Sequence, residues 1–366
     1  MDPKPIQICF IAPKAYTLFN PSAKGVMGGS EIDLYFISTE LAKDKGYAVS
    51  MVAADYGQEA DEEWEGVRVI RSLDFGKNVL SGGWRIWRAL RRADAQIYVI
   101  KTFSAGMVLT GWFCRRHKRA FVYRTAHRYD CDGTYRRRKP LLGWAFDRTL
   151  RRAKVVLAQN EADAKLLAER VGIRAEVIPN GHRLGQMDEK ERDLILWVGR
   201  TAEFKRPEVF IELARKNPEE KFCMICQQAT EDKDYSGLMK QAGEAENLEF
   251  ISLVPFHEIG RYFQRAKVLV NTSEAEGFPN TFIQACKCGT PILSLKVNPD
   301  GFLDKYGCGI CANGDKQIFE AKLRFLLKTE VREEYGIKGR QYVEEQHDIG
   351  RIVEEYKTIF RKLVSV

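Results

Sequence analysis

The chain has 366 residues, 45% of them hydrophobic, and carries 58 Lys and Arg against 50 Asp and Glu for a formal net charge of +8. A length of this order points to two globular domains or one large one with a sizeable core. No run of about 18 apolar residues occurs, which excludes a transmembrane helix, and nine cysteines, an odd number at low density, exclude a disulfide scaffold.

The N-terminus leads directly into a strand with no signal-peptide pattern before it, so a cytoplasmic protein is expected. The first half alternates strand-like runs, over 6–12, 48–53, 96–100, 120–124, 155–158 and 176–178, with helical ones over 30–45, 83–93, 105–116, 141–152 and 161–171. Alternation on this scale implies an α/β fold, a parallel sheet with helices on both faces. Asn180-Gly181 is a turn signal that opens a polar stretch over 182–192, read as a linker. The pattern then restarts. Strands are expected over 194–198, 221–226, 248–251, 268–270 and 291–293, and helices over 207–216, 235–242, 259–264 and 281–288. Helices close the chain, and the last shows Ile352, Tyr356, Ile359, Phe360 and Leu363 at helical spacing.

Three segments carry chemistry. After the first strand, Gly28-Gly29-Ser30-Glu31 opens a helix, and glycines let a backbone approach a phosphate at a helix N-terminus. In the second half a strand ends in Gly199-Arg200, and Lys205 follows just before Pro207 begins a helix. Two cations at a strand's carboxyl end stand where open α/β sheets bind ligands. The most informative run is Ser273-Glu274-Ala275-Glu276-Gly277-Phe278-Pro279-Asn280-Thr281-Phe282-Ile283-Gln284. Gly277 and Pro279 make a turn, Asn280 is the expected N-cap, and the free N–H groups of the helix start suit an anionic or hydroxyl-rich ligand. Glu276 before the helix and Gln284 inside it frame those donors with an acceptor at each end.

This last run resembles the motif of retaining glycosyltransferases of family 4, which have the GT-B fold. The family pattern is Glu, seven residues, Glu, then Gly-x-Pro; here Glu276 and Gln284 hold the two ends and Gly289-Thr290-Pro291 follows. Gln in place of the second Glu keeps an accepting oxygen but loses the charge. The resemblance implies two Rossmann-like domains facing across a cleft, residues 1–185 binding the acceptor and 186–348 the donor, with the C-terminal helix, about 349–366, crossing back to the first domain. It implies that Gly28 and Gly29 meet the donor diphosphate, that Arg200 and Lys205 clamp it, and that His127 lies beside the donor sugar. It further implies that Glu276 positions the sugar, that the turn and helix start from Gly277 through Phe278, Pro279, Asn280 and Thr281 bind the donor, that Gln284 meets the ribose, and that the backbone at Val254 meets the base. Val177-Ile178-Pro179-Asn180-Gly181 matches a further family segment and is read as structural.

Asp130-Cys131-Asp132 mimics a metal motif of the other glycosyltransferase fold, which nothing else in the chain supports, so Asp130 and Asp132 are read as acceptor contacts. Cys223 and Cys226 lie three apart on a strand and so face opposite ways, a poor start for a zinc site. No metal and no cofactor is expected, the nucleotide sugar being a co-substrate.

Charge is uneven: residues 68–154 hold 22 basic and 5 acidic residues. On a helical wheel over 83–93, Ile86, Trp87, Ala89, Leu90 and Ala93 share one face, while Trp84 stands with Arg85, Arg88, Arg91 and Arg92 on the other. An exposed Trp among arginines has the composition of a membrane interface, so an anionic membrane is a candidate partner through Trp84, Arg85, Arg88 and Arg92. A solvated basic face is the plain alternative, and no nucleic-acid motif occurs.

The expectation is a retaining, metal-independent glycosyltransferase. It would move a sugar from a UDP-, GDP- or ADP-sugar to a hydroxyl acceptor, lipid-linked in bacterial surface polysaccharide or glycolipid synthesis. Two alternatives stay open: a nucleotide-sugar epimerase on the same fold, separable by product analysis, and a non-catalytic sugar-nucleotide binding protein, with Gln284 as its mark. A NAD-linked dehydrogenase is disfavoured because no Gly-x-Gly-x-x-Gly follows the first strand.

Overall fold

Runs of branched and aromatic residues alternate with helices along the chain, and each crossover brings the next strand back parallel to its neighbours. A computed structural model describes residues 4–23, 25, 27–186, 191–229 and 234–365. Residues 187–190 of the expected linker and Val366 of the expected last helix lie outside these. Two units result, Met1–Arg183 with Asp348–Val366, and Leu184–His347.

The first unit is built on an eight-stranded sheet. Its strands are β1 (Ile6–Ile11), β2 (Tyr47–Ala53), β3 (Asp61–Trp64), β4 (Val67–Arg71), β5 (Ile97–Lys101), β6 (Ala120–Arg124), β7 (Val155–Ala158) and β8 (Glu176–Val177), in the order β3-β4-β2-β1-β5-β6-β7-β8. Every pairing is parallel except β3 with β4. That hairpin was not expected. β3 reads Asp-Glu-Glu-Trp and is half-exposed at the sheet edge, so it shows no hydrophobic period. The signal was in the turn: Glu65 and Gly66 both take positive φ, 49° and 76°, the geometry of a tight hairpin turn.

The second unit holds six parallel strands: β9 (Leu194–Arg200), β10 (Phe222–Gln227), β11 (Leu248–Ile251), β12 (Ala266–Asn271), β13 (Ile292–Ser294) and β14 (Gly309–Cys311), in the order β11-β10-β9-β12-β13-β14. Helices cover both faces, so its strands are near-continuous apolar runs. Cys223 and Ile225 pack in the core on one face, Met224 and Cys226 in the core on the other. The two thiols therefore point to opposite sides of β10. All nine cysteines are free and buried.

The stretch from Asn180, expected to open a polar linker, begins inside the first unit. Asn180 and His182 are buried, and His182 forms a parallel bridge with Asp348 at the head of the last helix, Ile349–Val364. That helix packs on β1 and on the helix Gly29–Leu41, within the first unit.

Asn180 belongs to a buried charge network. Asp33, on the helix Gly29–Leu41, accepts through Oδ2 from Lys101 Nζ at 2.8 Å and Arg124 Nε at 2.6 Å. Lys101 and Arg124 also donate to Asn180 Oδ1, at 3.0 and 2.8 Å, and Arg124 donates to the carbonyls of Ile178 and Pro179. The Arg124 guanidinium lies 5.7 Å from the ring centre of Tyr356 on the last helix. Burial pushes the Asp33 carboxyl up, but the facing Arg124 and Lys101 charges together outweigh it and hold it below the ordinary value. Burial pulls Lys101 down to about 8.

Asp33→Ala would leave two buried cations without their anion and should destabilise the first unit by about 3–5 kcal/mol, read as a lowered denaturation midpoint. Because the folded Asp33 carboxyl titrates below its unfolded value of about 3.9, its contribution is complete above that pH and is lost as the pH falls through the folded value. The stability gap between the wild type and Asp33→Ala should therefore close in acid.

Candidate functional site

β9 and β12 are neighbours, and the loops that leave their carboxyl ends are fastened together. Trp197 Nε1 donates to Thr272 Oγ1 at 2.9 Å, and that hydroxyl donates to the Lys205 carbonyl at 2.6 Å. The Glu274 N–H donates to the Phe204 carbonyl at 2.8 Å, and Arg206 Nη1 to Glu274 Oε1 at 2.6 Å. Arg206 takes φ of 50°, a left-handed kink that ends the loop before Pro207 starts the helix Pro207–Arg215.

This lacing brings Lys205 onto Glu276. Lys205 Nζ donates to Glu276 Oε1, and Ser273 Oγ donates to the same oxygen at 2.9 Å. The expected sugar-positioning carboxylate and the expected phosphate clamp are thus an ion pair, a coupling no spacing argument shows. Arg200, at the end of β9, is half-buried and has no ion-pair partner among the described residues.

The helix after this loop is Asn280–Lys287. Its N-cap is Pro279 and not Asn280, because Pro279 (φ −64°, ψ 123°) is the last extended residue and Asn280 already lies in the first turn. Pro279 itself has no side chain that could cap the helix start by a hydrogen bond. Gln284 is buried one turn in, and its Oε1 has no hydrogen-bond partner among the described residues, an acceptor held ready in the interior. Phe278 packs its ring on Phe302 and His347, at 5.1 and 4.9 Å, and Val254 is buried in the same core. Only the backbone of these two can meet a ligand. Gly277 is buried and Thr281 half-buried at the turn. The helix Thr329–Gln346 holds this element from behind, so closely that a Cβ at Gly336 would stand 2.2 Å from the Gly289 carbonyl oxygen.

In the first unit, the Gly28 N–H donates to the Glu31 carboxylate at 3.0 Å, so the start of the helix Gly29–Leu41 is capped by its own chain. A phosphate at Gly28 and Gly29 has to share that edge with Glu31. Beside it Thr102, φ 91°, donates to Ser30 Oγ at 2.8 Å; positive φ is a strained state for a β-branched residue. His127 Nδ1 accepts from the Tyr129 N–H at 3.1 Å, which puts the proton of the neutral ring on Nε2. Asp130 is buried, and its Oδ2 accepts from the Ala126 and His127 N–H groups at 2.6 and 3.1 Å. Burial pushes its carboxyl up to about 6 against the pull of those two bonds. Asp130 therefore shapes the His127 loop through Oδ2, while its buried Oδ1 has no hydrogen-bond partner among the described residues. Asp132 is half-buried and caps the Thr134 N–H at 2.8 Å.

The helix expected over 83–93 runs Val79–Ala93 and buries Ile86, Ala89 and Leu90. Two of its membrane candidates have local partners: Arg85 pairs with Asp55 at 3.3 Å and Arg92 with Asp61 at 3.2 Å. Trp84 and Arg88 stand exposed and stack, 4.7 Å from guanidinium to ring centre. Among the described residues, no three His, Cys, Asp or Glu side chains gather where they could hold a metal, and no helix is long and apolar enough to cross a membrane.

A model of the family described as glycosyl transferases group 1 matches residues 185–342, and one of glycosyltransferase family 4 matches residues 27–185. The two matches take in both units, and the chain belongs to this family of GT-B glycosyltransferases. An uncharacterised glycosyltransferase of Methanocaldococcus jannaschii is 22% identical, the match covering 93% of this chain and 96% of that one. Two solved structures share the fold. Sucrose-phosphate synthase from Thermosynechococcus elongatus has a TM-score of 0.80 at 17% identity, covering 98% of this chain and 99% of that one. WaaG, a glycosyltransferase involved in lipopolysaccharide biosynthesis, has a TM-score of 0.71 at 16% identity, covering 96% and 99%.

Sequence reasoning passed over Thr272 and Ser273 because short hydroxyl residues after a strand are common loop residues. Thr272→Val keeps the shape but orphans the Trp197 N–H and the Lys205 carbonyl. It should destabilise the second unit by about 2 kcal/mol, seen as a lower unfolding temperature.

Proposed function

We propose that this glycosyltransferase moves a sugar from a nucleotide-sugar donor to a hydroxyl acceptor, with retention at the anomeric carbon and without a metal. The observation that carries the reading is the pairing of Lys205 with Glu276 just before the helix Asn280–Lys287, with Oε1 of Gln284, unpartnered among the described residues, one turn inside. A sugar hydroxyl fits at Glu276, a ribose hydroxyl at Gln284, and a diphosphate at Arg200 and Lys205.

In the proposed step the bond from the anomeric carbon to the phosphate oxygen breaks, and the acceptor oxygen bonds to that carbon on the same face. The acceptor proton passes to the leaving phosphate oxygen. Retention is supported by the engagement of Glu276: the oxygen that accepts from Lys205 and Ser273 is not open to take the proton of an acceptor hydroxyl, as an inverting displacement would need. Cations preorganised at the diphosphate offset the charge that develops as it leaves. His127, with its proton on Nε2, is proposed to lie beside the donor sugar.

The acceptor is proposed as lipid-linked, in surface polysaccharide or glycolipid synthesis, with the protein on the cytoplasmic face of an anionic membrane. The basic stretch 68–154, exposed Trp84 and Arg88, and the likeness to a lipopolysaccharide glycosyltransferase support this reading. Nine free cysteines fit a reducing compartment.

Arg200→Ala and Lys205→Ala should each lower turnover at least about 100-fold, the scale of losing one preorganised charge contact. Near-normal turnover in both would remove the clamp. Activity should persist in excess chelator, and a loss restored by manganese or magnesium would overturn the metal-free reading.

Gln284→Glu should lower the KM for the nucleotide sugar several-fold with little change in kcat, because a charged acceptor roughly doubles the strength of a hydrogen bond. Gln284→Met should raise the KM. Equal KM values in all three proteins would take the ribose away from Gln284.

A further inference from the structure

A second site lies in the first unit, at the edge where its strands begin. The helices Ala105–Arg116 and Pro140–Leu150 touch closely at Gly111, where a Cβ would stand 2.3 Å from Thr149 Cγ2. Around this contact a cavity of about 970 Å³ opens, lined also by Gln96 and Lys154, which immediately precede β5 and β7, and by Ala120, the first residue of β6. It therefore sits at the opposite end of the sheet from the carboxyl edge that carries Gly28, His127 and Asp132.

Its lining has two chemistries. Arg115, Lys118, Arg119, Arg148, Arg152 and Lys154 supply six cations, and no acidic residue lines the cavity. Among the described residues only Arg119 of the six has an ion-pair partner, Asp94 at 2.5 Å. Partial desolvation together with repulsion from Arg115 and Arg148 pulls Arg152 below the ordinary guanidinium value, a sign that these three charges crowd one another. The dipoles at two helix C-termini favour one or two such cations, not six. The second chemistry is apolar. Phe121 and Leu363 line the cavity, and Trp112 and Trp144 flank it with 59% and 49% of their surfaces exposed.

We propose that this cavity binds the headgroup of an anionic phospholipid in a bilayer, the phosphate against Arg115, Arg148 and Arg152 and the tryptophans in the interfacial layer. A free phosphate would leave most of 970 Å³ unfilled and would not call for exposed indoles. Indole rings with one apolar and one polar side settle at headgroup depth. Trp87, on the inward-facing side of the helix Val79–Ala93, lies 4.8 Å from Trp112, so that helix packs beside this site. The inference rests on the membrane part of the reading above and adds the residues that make the contact.

The test is co-flotation of the full chain with neutral phosphatidylcholine vesicles, and with vesicles containing phosphatidylglycerol, at low and high salt. Wild type should bind only the anionic vesicles. Arg115→Gln/Arg148→Gln/Arg152→Gln should weaken that binding about a hundredfold, the sum of three basic contacts near an anionic surface. The corresponding triple Lys variant should bind nearly as wild type, and donor hydrolysis in solution should be unchanged in both. If wild type floats but the Gln variant floats equally well, the cavity is not the contact, while the membrane reading survives through Trp84 and Arg88. If wild type ignores anionic vesicles, both fail. Binding of inorganic phosphate or of an oligonucleotide through these arginines, without vesicle binding, would overturn the lipid assignment in favour of a soluble anion.

Discussion

Asp33 is the one anion between two buried cations, and the first unit is arranged around it. Isolated charges in an interior are costly, so Lys101 and Arg124 can be buried only where a carboxylate and several oxygens surround them. The oxygens come from Ile178, Pro179 and Asn180, and the flat face of Tyr356 closes the group. The network thereby joins the helix that starts at the glycine loop, the carboxyl ends of β5 and β6, the chain's exit at 178–180 and its return in the last helix. The return of the final helix to the first unit thus has an electrostatic anchor as well as an apolar face.

A smaller knot does the same for the second unit. Thr272 is fully buried and bonds at once to the Trp197 indole and the Lys205 carbonyl. It sets the height of one loop against the other, and the Lys205–Glu276 pair follows from that setting. A ligand entering such a site meets a carboxylate already charge-balanced and an arginine that is not. In the proposed reading its phosphates would meet Arg200, with Lys205 shared between Glu276 and the ligand. Gln284 suits this arrangement, since a neutral amide can be buried with an unpartnered oxygen at less cost than a carboxylate.

Charge on the first unit's outer helices divides into two kinds. Arg85 and Arg92 answer Asp55 and Asp61 and stabilise the edge of the sheet locally. Arg88, Arg115, Arg148 and Arg152 have no such counterpart among the described residues and lie beside exposed indoles. Sequence counts weigh all of these equally; only the second kind is available to an external anion.

The sequence by itself determined the α/β alternation, the restart of the pattern at Leu194, the opposed faces of Cys223 and Cys226, and the family, through Arg200, Lys205, Glu276 and the helix that follows. These are local matters of period and spacing along one strand or one turn. It missed β3 because an edge strand needs no apolar face, and it read Asn180-Gly181 as a turn signal opening a polar linker without showing that Asn180 and His182 are buried, because a turn signal does not say what surrounds it. It did not show that Asp130 is buried, because burial is not visible in a triplet. The tertiary structure alone decided that Lys205 meets Glu276 across 71 positions, that Asp33 meets Arg124 across 91, and which arginines stay unpaired. Such pairs are made by the sheet order, which sets together the ends of strands distant in the chain, and no local pattern records that order.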